Sequence, residues 1–193
     1  MLKLIVSDID GTLIPYVMTE LPPDLFDIIN QLHDVGITFC PASGRQYHSM
    51  RTLFAPVSDN ICYICENGGI VYGIGTENST SVLSMSQINF KDAAKLSQMI
   101  MSIPYCDVMI SSKNTSYLFT YGNCSAVLER ELVEWGGNIV KQIKAFDDIH
   151  DPVVKIGAYC TKDIDNAMDI LYRKYGAVFR GYPKIDIYGR EVL

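Results

Sequence analysis

The amino-acid sequence predicts an α/β protein in which a parallel sheet is followed by a separate α+β part. Two observations predict this arrangement. Over the first third of the 193 residues, apolar runs typical of strands alternate with amphipathic segments typical of helices, which is the βαβαβ pattern of a parallel sheet. From about Ser84 onward, the order changes to a helix followed by two strands, and this order occurs twice.

The first third begins with a short strand at residues 2–6, which is apolar and rich in branched side chains, as buried strands of α/β sheets are. A helix is predicted over residues 24–35, because its apolar residues recur at helical spacing and Gly36 suits its C-terminal cap. A strand, a helix and a strand follow, at residues 37–40, 45–54 and 61–65.

The elements of the second part are predicted from the same periodicities. Helices are predicted where apolar residues recur at helical spacing, at residues 90–102, 125–135 and 163–175. Strands are predicted at residues 106–111, 116–121, 153–159, 177–181 and 184–188. This order predicts an α+β sheet with helices on one face.

Composition restricts the classes of partner and the compartment. Hydrophobic residues make up 48% of the chain, which is enough for the core of one domain or two small ones. The net charge of -6 and the absence of a long basic run argue against a nucleic-acid partner. Because the chain has no apolar run of bilayer length and no export signal, we expect no membrane partner and a cytoplasmic location.

Cysteine usage fits the same compartment. The six cysteines are scattered through predicted strands and loops, so free thiols are expected rather than a disulfide framework. Cys62 and Cys65 form a C-x-x-C spacing, but no second cysteine pair accompanies them, and residues three apart on a strand face opposite sides. We therefore interpret this pair as part of the core.

Two carboxylates, Asp8 and Asp10, stand at the end of the first predicted strand and just before Gly11. Ligands of parallel sheets bind at the carboxyl ends of the strands, and alternate residues of an extended segment point the same way. Mg²⁺ would offset the repulsion between the two acids and is commonly held by carboxylates together with substrate phosphates. The alternative is a simple Asp-Gly turn with a helix cap.

Polar and glycine-rich residues also follow the next two strands. Ser43 and Gly44 come after the second strand, where a hydroxyl and a close backbone approach suit a phosphate. The alternative is that Ser43 only caps the following helix. After the third strand comes Glu66-Asn67-Gly68-Gly69.

In their order and spacing, these segments resemble motifs of the haloacid dehalogenase-like phosphatases, in their Cof-type branch. The stretches that carry the resemblance are Asp8-Ile9-Asp10-Gly11-Thr12-Leu13, Ser43-Gly44-Arg45 and Glu66-Asn67-Gly68. The resemblance implies a partial Rossmann-like core sheet with an inserted or appended α+β cap domain. It assigns residues 1–83 to the core, 84–187 to the cap and 188–193 to a stub of the return to the core.

The resemblance also implies roles for individual residues. Asp8 is expected to be the nucleophile, Asp10 the general acid and base, and Ser43 a ligand of the phosphate. Mg²⁺ is expected to bind Asp8 and Asp10, the latter through its backbone carbonyl. The further expected contacts are phosphate contacts by Gly11, Thr12 and Gly44, and positions near the substrate for Arg45 and Asn67.

The implied function is that of a Mg²⁺-dependent phosphatase, a phosphoric monoester hydrolase that acts on a small phosphorylated metabolite through an aspartyl-phosphate intermediate. In the family, a lysine and a Gly-Asp…Asn-Asp motif follow the cap, and neither follows the cap-like segment of this sequence. The alternative is therefore a catalytically silent fragment, or a protein that binds a ligand or a partner.

The missing motifs also bear on assembly. The family's first strand is central in its sheet, whereas here the strands that would cover its outer side are not recognised in the sequence. Residues 2–6 are then expected to form an edge strand with unpaired N–H and C=O groups. We expect the chain to self-associate through this exposed first strand.

Overall fold

The computed structural model describes residues 2–15, 20–122, 125–135, 137–175, 184–185 and 191–192. The chain divides into two compact units, Met1–Gln87 and Ile88–Leu193. Within the described ranges, no helix combines the length and the apolar character that crossing a bilayer requires. Of the predicted strands, 177–181 lies outside the described residues, as does all of 184–188 after its first two residues.

The first unit is built on a sheet whose strands are β1 Leu4–Asp8, β2 Thr38–Ala42, β3 Tyr63–Cys65, β4 Ile70–Tyr72 and β5 Val82–Met85. Its α-helices are α1 Pro23–Asp34 and α2 Tyr47–Leu53. The strand order is β1-β2-β3-β4-β5. Strands β1, β2 and β3 are parallel, as predicted, whereas β4 and β5 extend the sheet in antiparallel pairing. The sequence prediction missed these last two strands, because each has only three or four residues.

The local sequence explains where α1 begins and ends. Proline is tolerated in the first turn of a helix, and Pro23 opens this one. The chain leaves the helix through Gly36, whose φ of +74° is a left-handed conformation that glycine adopts without steric cost. Ile29 is buried against the unit, and the exposed side carries charged and polar residues.

Buried side chains of the first unit fix the segments that follow the parallel strands. Its fully buried side chains include Ile9, Met50, Phe54 and Tyr63. Ile9 follows β1 directly, while Met50 belongs to α2. Burying side chains of this size contributes roughly 1.5–3 kcal/mol each. The chain segments beside the strand ends are therefore anchored in the core.

The second unit contains a four-stranded sheet of β6 Cys106–Ser111, β7 Ser116–Phe119, β8 Val140–Ile143 and β9 Lys155–Cys160, in the order β8-β7-β6-β9. Its helices are α3 Phe90–Ser102, α4 Ser125–Arg130 with a π-helical continuation Glu131–Trp135, and α5 Ile164–Tyr175. A short antiparallel pair follows, β10 Lys184–Ile185 with β11 Glu191–Val192. The bounds of α3 and β6 are those predicted, the other helices, β7 and β9 were predicted with small differences at their ends, and β8 was not predicted.

Helices lie on both faces of this second sheet, so the prediction that they share one face is wrong. Along β7, Tyr117 and Phe119 belong to the cluster that includes residues of α3 and α5. Leu118 points the other way and packs in a second cluster with Leu128 of α4. Neighbouring residues of a strand point to opposite faces of the sheet, and β7 has apolar residues that pack on each face.

Two of the cysteines form a disulfide, which corrects the prediction of free thiols. β6 and β9 pair antiparallel with Cys106 directly opposite Cys160, and the two Cα atoms are 4.1 Å apart. The partners are 54 residues apart in the chain, so nothing in the local sequence could reveal their pairing. Cys40, Cys62 and Cys65 form no disulfide; Cys65 is buried, which agrees with its interpretation as a core residue, whereas Cys62 is only half-buried.

Candidate active site

The candidate site lies at the carboxyl ends of the three parallel strands. Asp8 is the last residue of β1 and pairs with Ala42, the last residue of β2. Ala42 in turn pairs with Ile64, near the end of β3. The segments that follow the three strands therefore leave the sheet at the same edge, where parallel sheets bind ligands.

A tight turn after β1 sets the relative position of the two aspartates. The carbonyl of Ile9 accepts hydrogen bonds from the amides of Thr12 (3.1 Å) and Ile14 (2.9 Å), and the Ile9 side chain is buried. Gly11 has a φ of +87°, which accounts for the glycine in the Asp-Gly pair. Asp8 and Asp10 thus flank an anchored residue, with Asp8 exposed and Asp10 half-buried.

Side chains hold both aspartates. The Thr12 hydroxyl donates to Oδ2 of Asp8 at 3.1 Å. The Arg45 guanidinium donates to both carboxylate oxygens of Asp10, from Nη2 to Oδ1 at 2.8 Å and from Nε to Oδ2 at 3.2 Å. The Arg45 and Asp10 side chains are 28% and 30% exposed, so this fork-shaped ion pair is largely covered.

Ser43 and Gly44 lie in a loop that precedes α2. The helix begins at Tyr47, and Gln46 occupies its N-cap position without a side-chain cap hydrogen bond. The Ser43 hydroxyl instead accepts a hydrogen bond from the amide of Arg45 at 3.3 Å. The interpretation of Ser43 as a helix cap is therefore wrong. Ser43 stands free of the helix on a loop that also carries the partner of Asp10.

The residues after β3 contact this loop. The backbone N–H of Asn67 donates to the Ser43 carbonyl at 3.0 Å, and the backbone N–H of Glu66 donates to the Arg45 carbonyl at 3.1 Å. The side chain of Glu66 is buried, whereas Asn67 is exposed. The structure thus brings the three predicted segments into one connected site.

The oxygen donors at the site fit Mg²⁺ in part. Among the described residues, no group of three His, Cys, Asp or Glu side chains is arranged to hold a metal ion. The exposed carboxylate of Asp8 and the backbone carbonyl of Asp10 are donors of the hard, oxygen type, and Mg²⁺ commonly takes only one or two protein carboxylates beside waters and substrate phosphate. The Asp10 carboxylate is a less suitable ligand here, because Arg45 contacts both of its oxygens.

Sequence reasoning missed two features of this site. The ion pair joins residues that are 35 positions apart, and no local pattern marks such a pairing. The hydrogen bonds made by Glu66 and Asn67 were also missed, although the Asn-Gly-Gly run is a sequence signal for a tight turn with left-handed residues.

Comparison with known proteins identifies relatives of the chain. A family model described as haloacid dehalogenase-like hydrolase matches residues 5–185. The chain is similar to the 5-amino-6-(5-phospho-D-ribitylamino)uracil phosphatase YbjI of Escherichia coli K12, with 27% identity over 158 residues, 81% of this chain and 55% of that protein. The chain therefore spans about half the length of this curated relative.

Solved structures share the fold. A structure from Eubacterium rectale has a TM-score of 0.75 and 21% identity, over 91% of this chain and 64% of that one. The phosphatase BT1666 from Bacteroides thetaiotaomicron has a TM-score of 0.67 and 19% identity, over 95% of this chain and 65% of that one. Since the family model matches nearly the whole sequence and the fold agrees, the chain belongs to the haloacid dehalogenase-like hydrolase family.

Proposed function

We propose that this chain carries the nucleophile and the acid–base residue of a phosphatase that hydrolyses a phosphoric monoester of a small metabolite. The observation that carries the proposal is the exposed Asp8 at the end of β1, held by Thr12, beside an Asp10 that Arg45 holds in place. The phosphatases named among the similar proteins support the same reaction class.

In the proposed first step, a carboxylate oxygen of Asp8 attacks the phosphorus atom and the bond to the ester oxygen breaks. One oxygen of Asp10, turned away from Arg45 and protonated from solvent, gives this proton to the departing alkoxide, so that the leaving group departs as an alcohol. In the second step, Asp10 takes a proton from water, and the water oxygen displaces the Asp8 carboxylate from phosphorus. Inorganic phosphate is released, and both aspartates return to their starting state.

Arg45 links this chemistry to phosphate binding. An oxygen of Asp10 that protonates the leaving group has to turn from Arg45 toward the substrate, which releases a guanidinium N–H for a phosphate oxygen. We propose that Ser43, Gly44, Gly11 and Thr12 supply the remaining hydroxyl and amide contacts to the phosphate.

We propose Mg²⁺ as the cofactor. When bound, the ion would neutralise charge between Asp8 and the phosphate oxygens, with the Asp8 carboxylate and the Asp10 backbone carbonyl as its protein ligands. Residues 1–83 would belong to the catalytic core and residues 84–187 to a cap domain. Of residues 188–193, the proposed return to the core, the structure describes only β11 Glu191–Val192.

A second candidate function is a catalytically silent binding protein. The observation that favours it is the ion pair of Asp10, because both carboxylate oxygens accept from Arg45 and neither is free to serve a leaving group. The two candidates differ in that the phosphatase hydrolyses its ligand and the binding protein does not. Both are compatible with binding of a phosphorylated ligand at the loops after β1 and β2, and both leave the cytoplasmic location as a prediction.

The test is hydrolysis of p-nitrophenyl phosphate by the purified chain with and without Mg²⁺, beside the variants Asp8→Asn and Asp24→Asn. We expect Mg²⁺-dependent turnover that Asp8→Asn abolishes, because an amide cannot form the aspartyl-phosphate. Asp24 is an exposed carboxylate on α1, so Asp24→Asn is the matched control and should retain wild-type turnover.

Unchanged turnover in the Asp8 variant would exclude the proposed nucleophile. Absence of turnover in the wild-type chain, combined with binding of inorganic phosphate that Asp8→Asn or Ser43→Ala alters, would favour the silent binding protein.

A further inference from the structure

The segment after β3 has an unusual backbone. Glu66, Asn67 and Gly68 have φ values of +54°, +57° and +90°, so three consecutive residues adopt left-handed conformations. For a residue with a side chain this conformation is unfavourable, and it persists only where the surrounding structure holds it. We call residues 66–68 the left-handed turn.

The left-handed turn is bonded to the loop of residues 43–45, which we call the serine loop. The amides of Glu66 and Asn67 donate to the carbonyls of Arg45 and Ser43, at 3.1 Å and 3.0 Å. The Ser43 amide donates in the opposite direction, to the Ile64 carbonyl of β3, at 3.0 Å. Main-chain hydrogen bonds therefore hold both ends of the serine loop.

Between these hydrogen bonds, the side chain of Asn67 lies against Gly44. A Cβ atom added to Gly44 would be 2.6 Å from Oδ1 of Asn67 and 3.3 Å from its Cγ. The backbone of Gly44 is not left-handed, so its conformation does not require glycine. The close approach of the Asn67 side chain leaves room for a Cβ atom at this position only if that side chain moves away.

The other end of the left-handed turn is fixed in the interior. Glu66 is 3% exposed, and Gly69 returns the chain into β4 with a hydrogen bond from its amide to the Glu66 carbonyl at 3.1 Å. Burial raises the pKa of the Tyr72 phenol on β4, and the charges of Cys65, Tyr47 and Glu66 add to that effect. The turn is thus anchored on one side and presents Asn67 on the other.

We propose that the left-handed turn is a positioning element for the serine loop, and that Asn67 acts through Gly44 rather than on the substrate. Holding both ends of the loop fixes the Ser43 hydroxyl and, through Arg45, the orientation of Asp10. The proposal rests on the proposed function only in so far as the serine loop binds phosphate.

The first test needs no activity. Hydrogen exchange of the Ser43, Glu66 and Asn67 amides is compared in the wild type and in Asn67→Gly, Gly44→Ala and the double variant. Glycine accepts the left-handed backbone at position 67, so Asn67→Gly removes only the side chain. In Gly44→Ala, the new methyl group displaces the Asn67 amide.

We expect each single variant to speed hydrogen exchange of the Ser43 backbone amide about 3- to 10-fold, because each loses one modest interaction. The double variant should show no larger effect than Asn67→Gly alone, because both changes remove the same contact. Asn78→Gly and Gly73→Ala are the matched controls. Asn78 is exposed in the β4–β5 connection, and a Cβ on Gly73 meets only the movable Ser81 hydroxyl at 3.2 Å and the Leu83 side chain.

The second test measures kcat and KM for p-nitrophenyl phosphate in the same variants. We expect kcat/KM to fall by between about 10- and 100-fold in both single variants, mainly through KM and without a change in melting temperature. Again the double variant should match Asn67→Gly. Losses that multiply in the double variant would show that the two residues act independently, against the proposal.

The two proposals fail in different ways. Wild-type turnover, together with variants that keep wild-type exchange and kinetic constants, would overturn the positioning role and leave the phosphatase standing. A wild type without turnover would count against the phosphatase, and the exchange rates would still decide whether the left-handed turn positions the serine loop.

Discussion

The Arg45 guanidinium joins two loops of the site, because it binds Asp10 in the turn after β1 from the loop after β2. Arg45 offers two donors in a rigid fork, and both oxygens of Asp10 accept from it. The two side chains are only 28% and 30% exposed, so solvent screens the pair less than it screens a surface ion pair. The loop that follows the neighbouring strand β2 therefore constrains the orientation of the Asp10 carboxylate.

At this scale we predict that Arg45→Lys lowers kcat/KM for p-nitrophenyl phosphate about tenfold or more. Lysine keeps the positive charge but cannot hold both oxygens in the fork geometry, so Asp10 loses its fixed orientation. Steady-state kinetics measure the effect, and circular dichroism checks that the fold is retained. Arg173→Lys is the control, since Arg173 forms an exposed pair with Asp169 on α5. Wild-type kinetics in Arg45→Lys would show that the pair does not orient Asp10.

Among the elements, the sheet of the second unit is stabilised in two ways that differ in kind. Apolar side chains of α3 and α5 pack on one face, while Leu128 of α4 packs on the other. The disulfide between Cys106 and Cys160 ties β6 to β9 at one end of their ladder. The first contribution depends on burial and the second depends on the oxidation state of two thiols.

We predict that reducing the disulfide lowers the free energy of unfolding of the second unit by about 2–4 kcal/mol, because the cross-link limits the freedom of the unfolded chain. Denaturant unfolding followed by the fluorescence of Trp135, the single tryptophan, reports on this unit. Protein purified without reductant should show a lower midpoint after treatment with a phosphine reductant.

The control for that prediction is the double variant Cys106→Ala with Cys160→Ala, whose midpoint should not respond to the reductant. If thiol titration of the unreduced, unfolded wild type finds both cysteines free, the predicted response disappears and the cross-link is absent in solution.

At the scale of the whole molecule, β1 forms an exposed edge of the first sheet among the described residues. β1 stands at the end of the strand order and pairs only with β2 among the described residues. Leu4 and Val6 are each 49% exposed on it. An apolar edge strand without a covering segment is a template for pairing with another chain.

We predict that the chain self-associates through β1, as a two-fold dimer or a larger assembly, at tens of micromolar protein. Multi-angle light scattering should give a mass above that of the monomer, and Val6→Lys should shift it toward the monomer by placing a charge on the edge. Val35→Lys is the matched control, because Val35 is an exposed valine at the end of α1. A wild type that is monomeric, with freely exchanging amides in β1, would contradict this prediction.

Much of the fold could be predicted because it depends on local patterns. The apolar periodicity of α3 and the apolar run of β6 predict the observed bounds of both elements. An apolar stripe on a helix and a buried strand can each be recognised in a short stretch of sequence. The meeting of Asp8 and Ser43 at one edge was also predictable, because parallel strands joined by helices end on the same side.

The rest was decided by tertiary structure. The pairing of Arg45 with Asp10 and of Cys106 with Cys160 joins positions that are 35 and 54 residues apart, and each depends on strand register. The face that α4 covers depends on which side of β7 its apolar residues reach. The amino-acid sequence by itself determined the elements and the family motifs, because these are written in short-range spacing. Only the tertiary structure decided which residues of different motifs bind one another. Hydrogen bonds and ion pairs between loops form only once the sheet has fixed the distances between those loops.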